Sequence, residues 1–279
     1  DPTMGETVMT QIEQMLNQKA ESKSELDVQP RSIKTAVSER PDANLVVISV
    51  PGKHAYLEAK EALMAGLHVF MFSDNLSLAE EKDLKDYATK KGLLMMGPDC
   101  GSAIINRTAI GFANEVNPGP IGMVAASGTG LQEITVLIDR YGGGITQAIG
   151  VGGRDLSEEI GGTMMLDGLS ALADDDATKV IILLSKKPSD RVADKVIEAA
   201  KQANKPTVVC FLGEAQPHRN TDNLYFETTL EGAALKALEL AGFSYEQLRA
   251  DMSVVDRAVQ GLNDKQKHVR ALYAGGTLC

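Results

Sequence analysis

The chain of 279 residues is 43% hydrophobic, long enough for two compact domains with cores of their own, and its formal net charge of −10 repels nucleic acid and anionic lipid. No apolar run approaches the roughly 20 residues of a membrane span, and the acidic start is unlike a signal peptide. The cysteines, Cys100, Cys210 and Cys279, share no metal-ligand or C-x-x-C spacing. We therefore expect a cytoplasmic protein that binds no metal and whose partners are small anionic molecules and other proteins.

The first part of the chain predicts an amphipathic helix followed by alternating strands and helices. Apolar residues at helical spacing predict a helix over 6–20, and with the polar stretch after it they form an N-terminal region, 1–31. Strands are then predicted at 44–50, 67–72 and 93–96, and helices at 53–66 and 77–92, the second with Ser77 and Glu80 in a capping box. This α/β unit, 32–118, predicts a parallel sheet with ligands at the carboxyl ends of its strands.

The segment from Asn117 to Pro120 holds two prolines and a glycine, so we expect it to interrupt regular structure and separate two domains. Strands follow at 121–125, 146–151, 180–184 and 207–212, and helices at 131–141, 158–174 and 190–203. With right-handed crossovers these elements predict a flavodoxin-like domain over 119–245. The tail is mostly helical over 230–259, and the final residues resemble a strand entering a glycine turn. We interpret 246–279 as a linker and the start of a further domain.

The strongest candidate site is the strand-to-helix turn that contains Ser127, Gly128, Thr129 and Gly130. Such a turn offers free backbone N–H groups, the positive end of a helix dipole and two hydroxyls, so it favours phosphate binding. A tight turn with a serine or threonine cap explains the same residues about as well.

The next strand ends in a second glycine turn, which a doubly wound sheet places beside the first. Gly152 and Gly153 are therefore also predicted to bind phosphate. Arg154 would pair with phosphate or carboxylate as a catalytic residue, and Asp155 would either orient it or cap the following helix.

Other side chains give weaker signals. Cys100, in the turn 97–101, is a possible nucleophile, but a small buried thiol is the commoner outcome. His54, His68, His218 and His268 have no metal-ligand spacing, and neither a G-x-G-x-x-G fingerprint nor a Walker A sequence occurs. Lys186 and Lys187 follow a strand and would either hold an anion or be solvated.

The three turns, in this order and spacing, resemble those of the α subunit of succinyl-CoA synthetase, and most closely its FdrA branch. Phe72 to Asn75 upstream and Leu272 to Thr277 downstream carry the same resemblance. It implies an incomplete Rossmann-like domain of the CoA-binding type over 32–118, followed by the flavodoxin-like ligase domain. The residues expected to form a CoA-like or substrate pocket are Val50, Pro51, Ser73, Asp74, Asp99 and Cys100.

The ligases of this superfamily use a phosphohistidine and a supporting glutamate, and the resemblance assigns no suitable residue of this chain to either role. The glutamate position falls on Ser185 and Lys186, and His218 comes too early in its loop. The resemblance therefore implies a carbamoyltransferase component that converts oxalurate and phosphate into oxamate and carbamoyl phosphate during allantoin breakdown, in an oligomer with other subunits. The alternatives are an acyl-CoA synthetase that uses CoA and ATP, and a non-catalytic assembly subunit. The glycine turn at Gly275 and Gly276 would begin a second phosphate-facing helix.

Overall fold

The structure is a computed structural model that describes residues 8–11, 30–213, 220–221, 223–244, 252–263, 265–266 and 272. The chain divides into two units, Asp1–Pro41 and Asp42–Cys279. In the first unit, residues 8–11 are helical and helix α1 spans Ile33–Glu39, where Ser32 Oγ accepts the Thr35 N–H at 3.2 Å. Most of the predicted N-terminal helix, His218, His268, Cys279 and the turn at Gly275 lie outside the described residues.

The second unit contains a small parallel sheet of three strands in the order β1-β2-β3. The strands are β1 (Leu45–Ile48), β2 (His68–Met71) and β3 (Met95–Met96), and the crossovers are α2 (Gly52–Met64) and α3 (Leu78–Lys91). The predicted capping box is confirmed, because Ser77 N–H donates to Glu80 Oε2 at 2.8 Å while Ser77 Oγ accepts the Glu80 N–H. The hydrogen bonds that the Ser77 N–H and the Ser77 hydroxyl donate to the Glu80 carboxylate lower the pKa of Glu80.

A second sheet of seven strands follows in the order β10-β9-β8-β6-β7-β4-β5. Its strands are β4 (Ser102–Ile105), β5 (Thr108–Gly111), β6 (Pro118–Ala125), β7 (Ile145–Gly150), β8 (Val180–Lys186), β9 (Thr207–Leu212) and β10 (Leu224–Phe226). Its helices are α4 (Gly128–Arg140), α5 (Thr163–Asp174), α6 (Asp190–Lys201) and α7 (Leu230–Leu240), and α8 (Met252–Gln260) follows them. With β6 counted first, β6 to β10 have the flavodoxin-like order 2-1-3-4-5, which confirms the predicted fold class.

The core of this domain lies between the sheet and its helices. Leu131, Ile134 and Ile138 of α4 and Ala237 and Leu238 of α7 pack in one cluster with alternate residues of the central strands. On the other face of β6, a Cβ added at Gly168 of α5 would lie 3.0 Å from the Val124 side chain, so that helix packs tightly against the sheet. None of the helices in the described ranges combines the length and the apolarity that a bilayer span requires.

Three local predictions need correction. The hairpin β4–β5 was not predicted, and β4 pairs antiparallel with β7 through Ile104 and Ala148. Pro118 to Pro120 do not interrupt regular structure but begin β6, at a register irregularity where a strand tolerates proline. Residues 158–162 form turns instead of the first part of a helix, because Gly161 and Gly162 adopt φ of 80° and 71°.

Candidate functional site

The three predicted turns meet in one open pocket of about 620 Å³ at the carboxyl end of β6. The pocket is lined by residues 99–102 and 125–129, by Gly150, Gly152 and Gly153, and by Phe112, Gln132 and Lys186. It lies where the chain crosses from β7 to the opposite side of β6, the switch point at which doubly wound sheets bind ligands. Hydrogen bonds from Ala126 N–H to the Leu184 carbonyl and from Val151 N–H to the Ala125 carbonyl, both 2.9 Å, tie the strand ends together.

Helix α4 begins inside this pocket. Ser127 is its N-cap, and Ser127 Oγ accepts the Gly130 N–H at 3.2 Å. The first N–H groups of an α-helix have no intrahelical acceptor, and Gly128 and Thr129 bring theirs to the pocket lining. Gly130 itself is buried and not part of the lining. Ser127 therefore forms the helix cap that the sequence analysis gave as an alternative. The N–H groups of Gly128 and Thr129, which precede the capped Gly130 N–H, remain for an anion.

The glycines around the pocket have two different roles. A Cβ at Gly150 would lie 2.4 Å from the Ser102 carbonyl oxygen, and one at Gly152, where φ is 84°, would lie 2.3 Å from the Pro98 carbonyl oxygen. These two glycines let the turns pack against one another. A Cβ at Gly128 or Gly153 would meet nothing nearer than 3.9 Å, so neither the packing nor a positive φ requires glycine there. Both instead leave room for a molecule in the pocket.

Two charged side chains of opposite sign line the pocket. Lys186 ends β8 and is exposed, and within the described residues no ion pair joins it to a carboxylate. Asp99, with φ of 57°, lies on the wall formed by the turn 97–101. Together with the α4 N-terminus, Lys186 favours a bound anion, and Asp99 supplies a hydrogen-bond acceptor.

Arg154 and Asp155, predicted to be catalytic, are not part of the pocket lining. Arg154 Nη2 lies 2.7 Å from Glu81 Oε2 and donates to the Leu76 carbonyl at 3.0 Å. Asp155 is fully buried, lies 2.8 Å from Lys85 Nζ, and accepts the Met164 and Met165 N–H groups at the start of α5. Its observed contacts are those of the helix cap that the sequence analysis kept as an alternative.

Lys85 joins this buried charge cluster to the pocket wall. Its fully buried Nζ lies 2.9 Å from Glu81 Oε1 and donates to the Val151 carbonyl at 3.0 Å, one residue after Gly150. Helix α3 of the small sheet thereby holds the turn that carries Gly152 and Gly153. In the described part of the chain, no three histidine, cysteine, aspartate or glutamate side chains are grouped as a metal site.

The residues expected to form a CoA-like or substrate pocket divide between two places. Asp99 and Cys100 line the pocket, whereas Val50, Pro51, Ser73 and Asp74 lie at the ends of β1 and β2 and do not. There Ser73 Oγ donates to the Val50 carbonyl at 2.6 Å. The Ser73 carbonyl in turn accepts the Asp99 N–H at 3.0 Å, so these turns support the pocket from outside.

Cys100 is a buried thiol and not an activated nucleophile. Burial raises the pKa of Cys100 and of Cys210 to about 12. At pH 8 only about one such thiol in 10⁴ is ionised, so both are expected to stay unmodified by iodoacetamide in the folded protein and to react in urea. Mass spectrometry of the two cysteine-containing peptides checks this. Alkylation of Cys100 in the native protein at the rate of a free thiol would contradict it.

Several lining residues carried little or no signal in the sequence. Ser102 and Phe112 were missed because the β4–β5 hairpin was missed: Ser102 begins β4 and Phe112 directly follows β5. Asn106 and Arg107, both with positive φ, form the turn of that hairpin. Gly101 and Gln132 lie in a predicted turn and a predicted helix but were not singled out as site residues. Lys186 and Lys187 were predicted either to hold an anion or to be solvated, and Lys186 is the one of the two that lines the pocket.

Comparison with known proteins finds a family that matches part of the second sheet. Residues 116–213 match the CoA binding domain family, a range that holds β6 to β9 and the pocket-lining residues from Ala125 to Lys186. The match falls on the second sheet, whereas the sequence analysis assigned the CoA-binding-type domain to 32–118.

The chain is 46% identical over 279 residues to the protein YahF of Escherichia coli (strain K12), covering 98% of this chain but only 54% of YahF. It thus spans about half the length of that relative. It is 28% identical over 221 residues to succinate–CoA ligase [ADP-forming] subunit alpha 2 of Archaeoglobus fulgidus, covering 76% of this chain and 75% of the ligase subunit. The chain therefore carries a CoA-binding-type domain and resembles succinate–CoA ligase α subunits.

The fold of this chain is also similar to that of solved structures. ATP citrate lyase from Methanothrix soehngenii, in complex with citrate and coenzyme A, superposes with a TM-score of 0.57 and 20% identity, over 88% of this chain and 44% of the lyase chain. At that identity the likeness concerns the fold alone.

Proposed function

We propose that the switch-point pocket binds phosphate or an acyl-type phosphate, and that the chain takes part in transferring an acyl or carbamoyl group to or from that phosphate. The observation that carries the proposal is the meeting of the Gly128 and Thr129 amides with Lys186 in one pocket. Preorganised N–H dipoles and a lysine stabilise the negative charge that develops on phosphate oxygens during such a transfer.

The carbamoyl form of the reaction follows from the FdrA resemblance. Phosphate attacks the carbamoyl carbon of oxalurate, a C–O bond forms, and the C–N bond to the oxamate nitrogen breaks. The phosphate proton passes to that nitrogen, giving oxamate and carbamoyl phosphate. Asp99 is the carboxylate of the pocket lining and is proposed to carry this proton.

The test is to incubate the protein, with the subunits that copurify with it, with oxalurate and phosphate and to measure carbamoyl phosphate. Formation that depends on both substrates supports the carbamoyl reaction. Turnover of other acyl phosphates with none from oxalurate would restrict the proposal to acyl transfer, and absence of phosphate binding would overturn it.

Lys186 offers a direct test of the anion site. Lys186→Met is expected to weaken phosphate binding about 10- to 100-fold, since one charge-assisted hydrogen bond contributes about 1.5–3 kcal/mol. Lys187→Met is the matched control, because Lys187 is the next residue and does not line the pocket. Calorimetric titration of phosphate checks both variants. Equal affinities for the two variants would contradict the role of Lys186.

A second candidate, a CoA-dependent ligase, is favoured by the CoA binding domain match and by the relatives named succinate–CoA ligases. Incubation with CoA, ATP and short carboxylic acids tests it, together with phosphorylation at His218, which lies outside the described residues. Acyl-CoA formation that is lost in His218→Ala would favour the ligase over the carbamoyl reaction. The presence of Lys186 disfavours the ligase, because a lysine near a phosphohistidine site disfavours the imidazolium form by like-charge repulsion.

A further inference from the structure

Two aromatic rings lie together at the mouth of the switch-point pocket. Phe112, which lines the pocket, is 64% exposed, and Phe72 is 43% exposed. Their ring centroids are 5.4 Å apart at an interplanar angle of 74°. Exposed aromatic pairs at a concave site are typical of ligand-binding surfaces, because removing the apolar rings from water under a ligand is energetically favourable.

The backbone of Phe112 is held in place on both sides. The Phe112 N–H donates to the Gly101 carbonyl at 2.8 Å, and Gln132 Nε2 donates to the Phe112 carbonyl. The preceding Gly111 has φ of 67°, and a Cβ there would lie 2.4 Å from the Gly101 carbonyl oxygen. The backbone that carries the Phe112 ring is thus fixed at both of its polar groups, which lowers the entropy cost of ordering this part of the surface when a ligand binds.

The rings lie close to the proposed anion site. Gln132, which anchors Phe112, comes four residues after Gly128, about 6 Å along the helix axis. A Cβ added at Gly128 would lie 3.9 Å from Ser102 Oγ, and one added at the neighbouring Gly101 would lie 3.5 Å from the Phe112 ring and 3.9 Å from the Phe72 ring. Gly128, Gly101 and Phe112 line the same pocket, so a group bonded directly to a phosphate at the Gly128 amide lies within reach of the rings.

We propose that Phe72 and Phe112 form a stacking subsite for a planar, uncharged group bonded directly to the phosphate of the ligand. This proposal rests on the phosphate site proposed above and adds the class of group that the phosphate carries. Acyl, carbamoyl and aryl groups are planar at the atom joined to oxygen, and aryl rings gain an interaction with aromatic side chains, beyond the burial of apolar area, that saturated rings lack.

Phenyl phosphate and cyclohexyl phosphate test the subsite, because both carry a six-membered ring on a phosphate oxygen and only the first ring is planar. Calorimetry with the whole protein is expected to show phenyl phosphate binding about tenfold tighter than inorganic phosphate and tighter than cyclohexyl phosphate. Phe112→Leu is expected to remove most of the preference for phenyl phosphate over cyclohexyl phosphate. Phe72→Leu, a second variant of an exposed ring, is expected to reduce the preference in part.

The outcomes separate the two proposals. If inorganic phosphate binds but phenyl phosphate gains nothing over cyclohexyl phosphate, or if Phe112→Leu keeps the preference, the stacking subsite is refuted while the phosphate site stands. Binding of AMP more tightly than phenyl phosphate would refute direct attachment of the planar group. If inorganic phosphate does not bind the wild type, the proposed function fails and the subsite fails with it.

Discussion

Replacement of Lys85 with methionine is expected to lower the free energy of unfolding by about 3–5 kcal/mol, the usual cost of removing one partner from a buried charge cluster. Lys85 is fully buried, and its Nζ contacts Asp155 at 2.8 Å, Glu81 at 2.9 Å and the Val151 carbonyl at 3.0 Å. Methionine fills a similar volume but leaves two carboxylates without their shared cation. Urea unfolding monitored by circular dichroism measures the change.

The same helix supplies the matched control. Lys82 lies one turn earlier, its side chain is 50% exposed, and it pairs with Asp86 at 3.2 Å. Lys82→Met is expected to change stability by less than about 1 kcal/mol, because exposed ion pairs contribute little. Equal stability of Lys85→Met and Lys82→Met would show that the buried charge cluster does not stabilise the contact between α3 and the Gly150–Asp155 turn.

Replacement of Gly128 with alanine is expected to weaken phosphate binding by about 10- to 100-fold without loss of stability. The added Cβ meets no protein atom nearer than 3.9 Å, and the residue has no positive φ, so the fold accepts it. The methyl group projects into space that the proposed ligand needs, and losing charge-assisted hydrogen bonds to the anion corresponds to this range. Alanine in a helix also lowers the entropy of the unfolded chain, so the melting temperature should stay equal or rise slightly.

Gly261→Ala is the control for this variant, because a Cβ there meets only backbone oxygens at 3.5 Å or more and φ is not positive. It is expected to bind phosphate as the wild type does. Isothermal titration and thermal melting of both variants together distinguish a blocked pocket from a damaged fold. Wild-type phosphate affinity in Gly128→Ala would show that the α4 N-terminus is not the anion site.

The sequence predicts the fold well where local patterns decide it. The short β-branched runs of β6 to β9 and the capping box of α3 each specify one kind of element, so their positions differ from the structure by a few residues at most. The β4–β5 hairpin could not be predicted in this way. Its strands are four residues each, and β5 is largely exposed, so no clear alternation of apolar residues marks them.

The candidate site shows the same division. The glycine turns were predicted because a strand end followed by small residues is a local signal, and their meeting follows from sheet topology. The position of Arg154 was not predictable, since its partner Glu81 is 73 residues earlier in the chain, on a helix of the other sheet. Phe112 was missed because it follows the β4–β5 hairpin, and its partner ring, Phe72, is 40 residues earlier in the chain.

The most direct test of the anion site is a crystal structure of the protein determined at saturating phosphate. The account predicts a phosphate within hydrogen-bond distance of the Gly128 and Thr129 amides, with Lys186 Nζ directed to one of its oxygens. A pocket that holds no phosphate under these conditions, or phosphate bound only elsewhere on the protein, would contradict it.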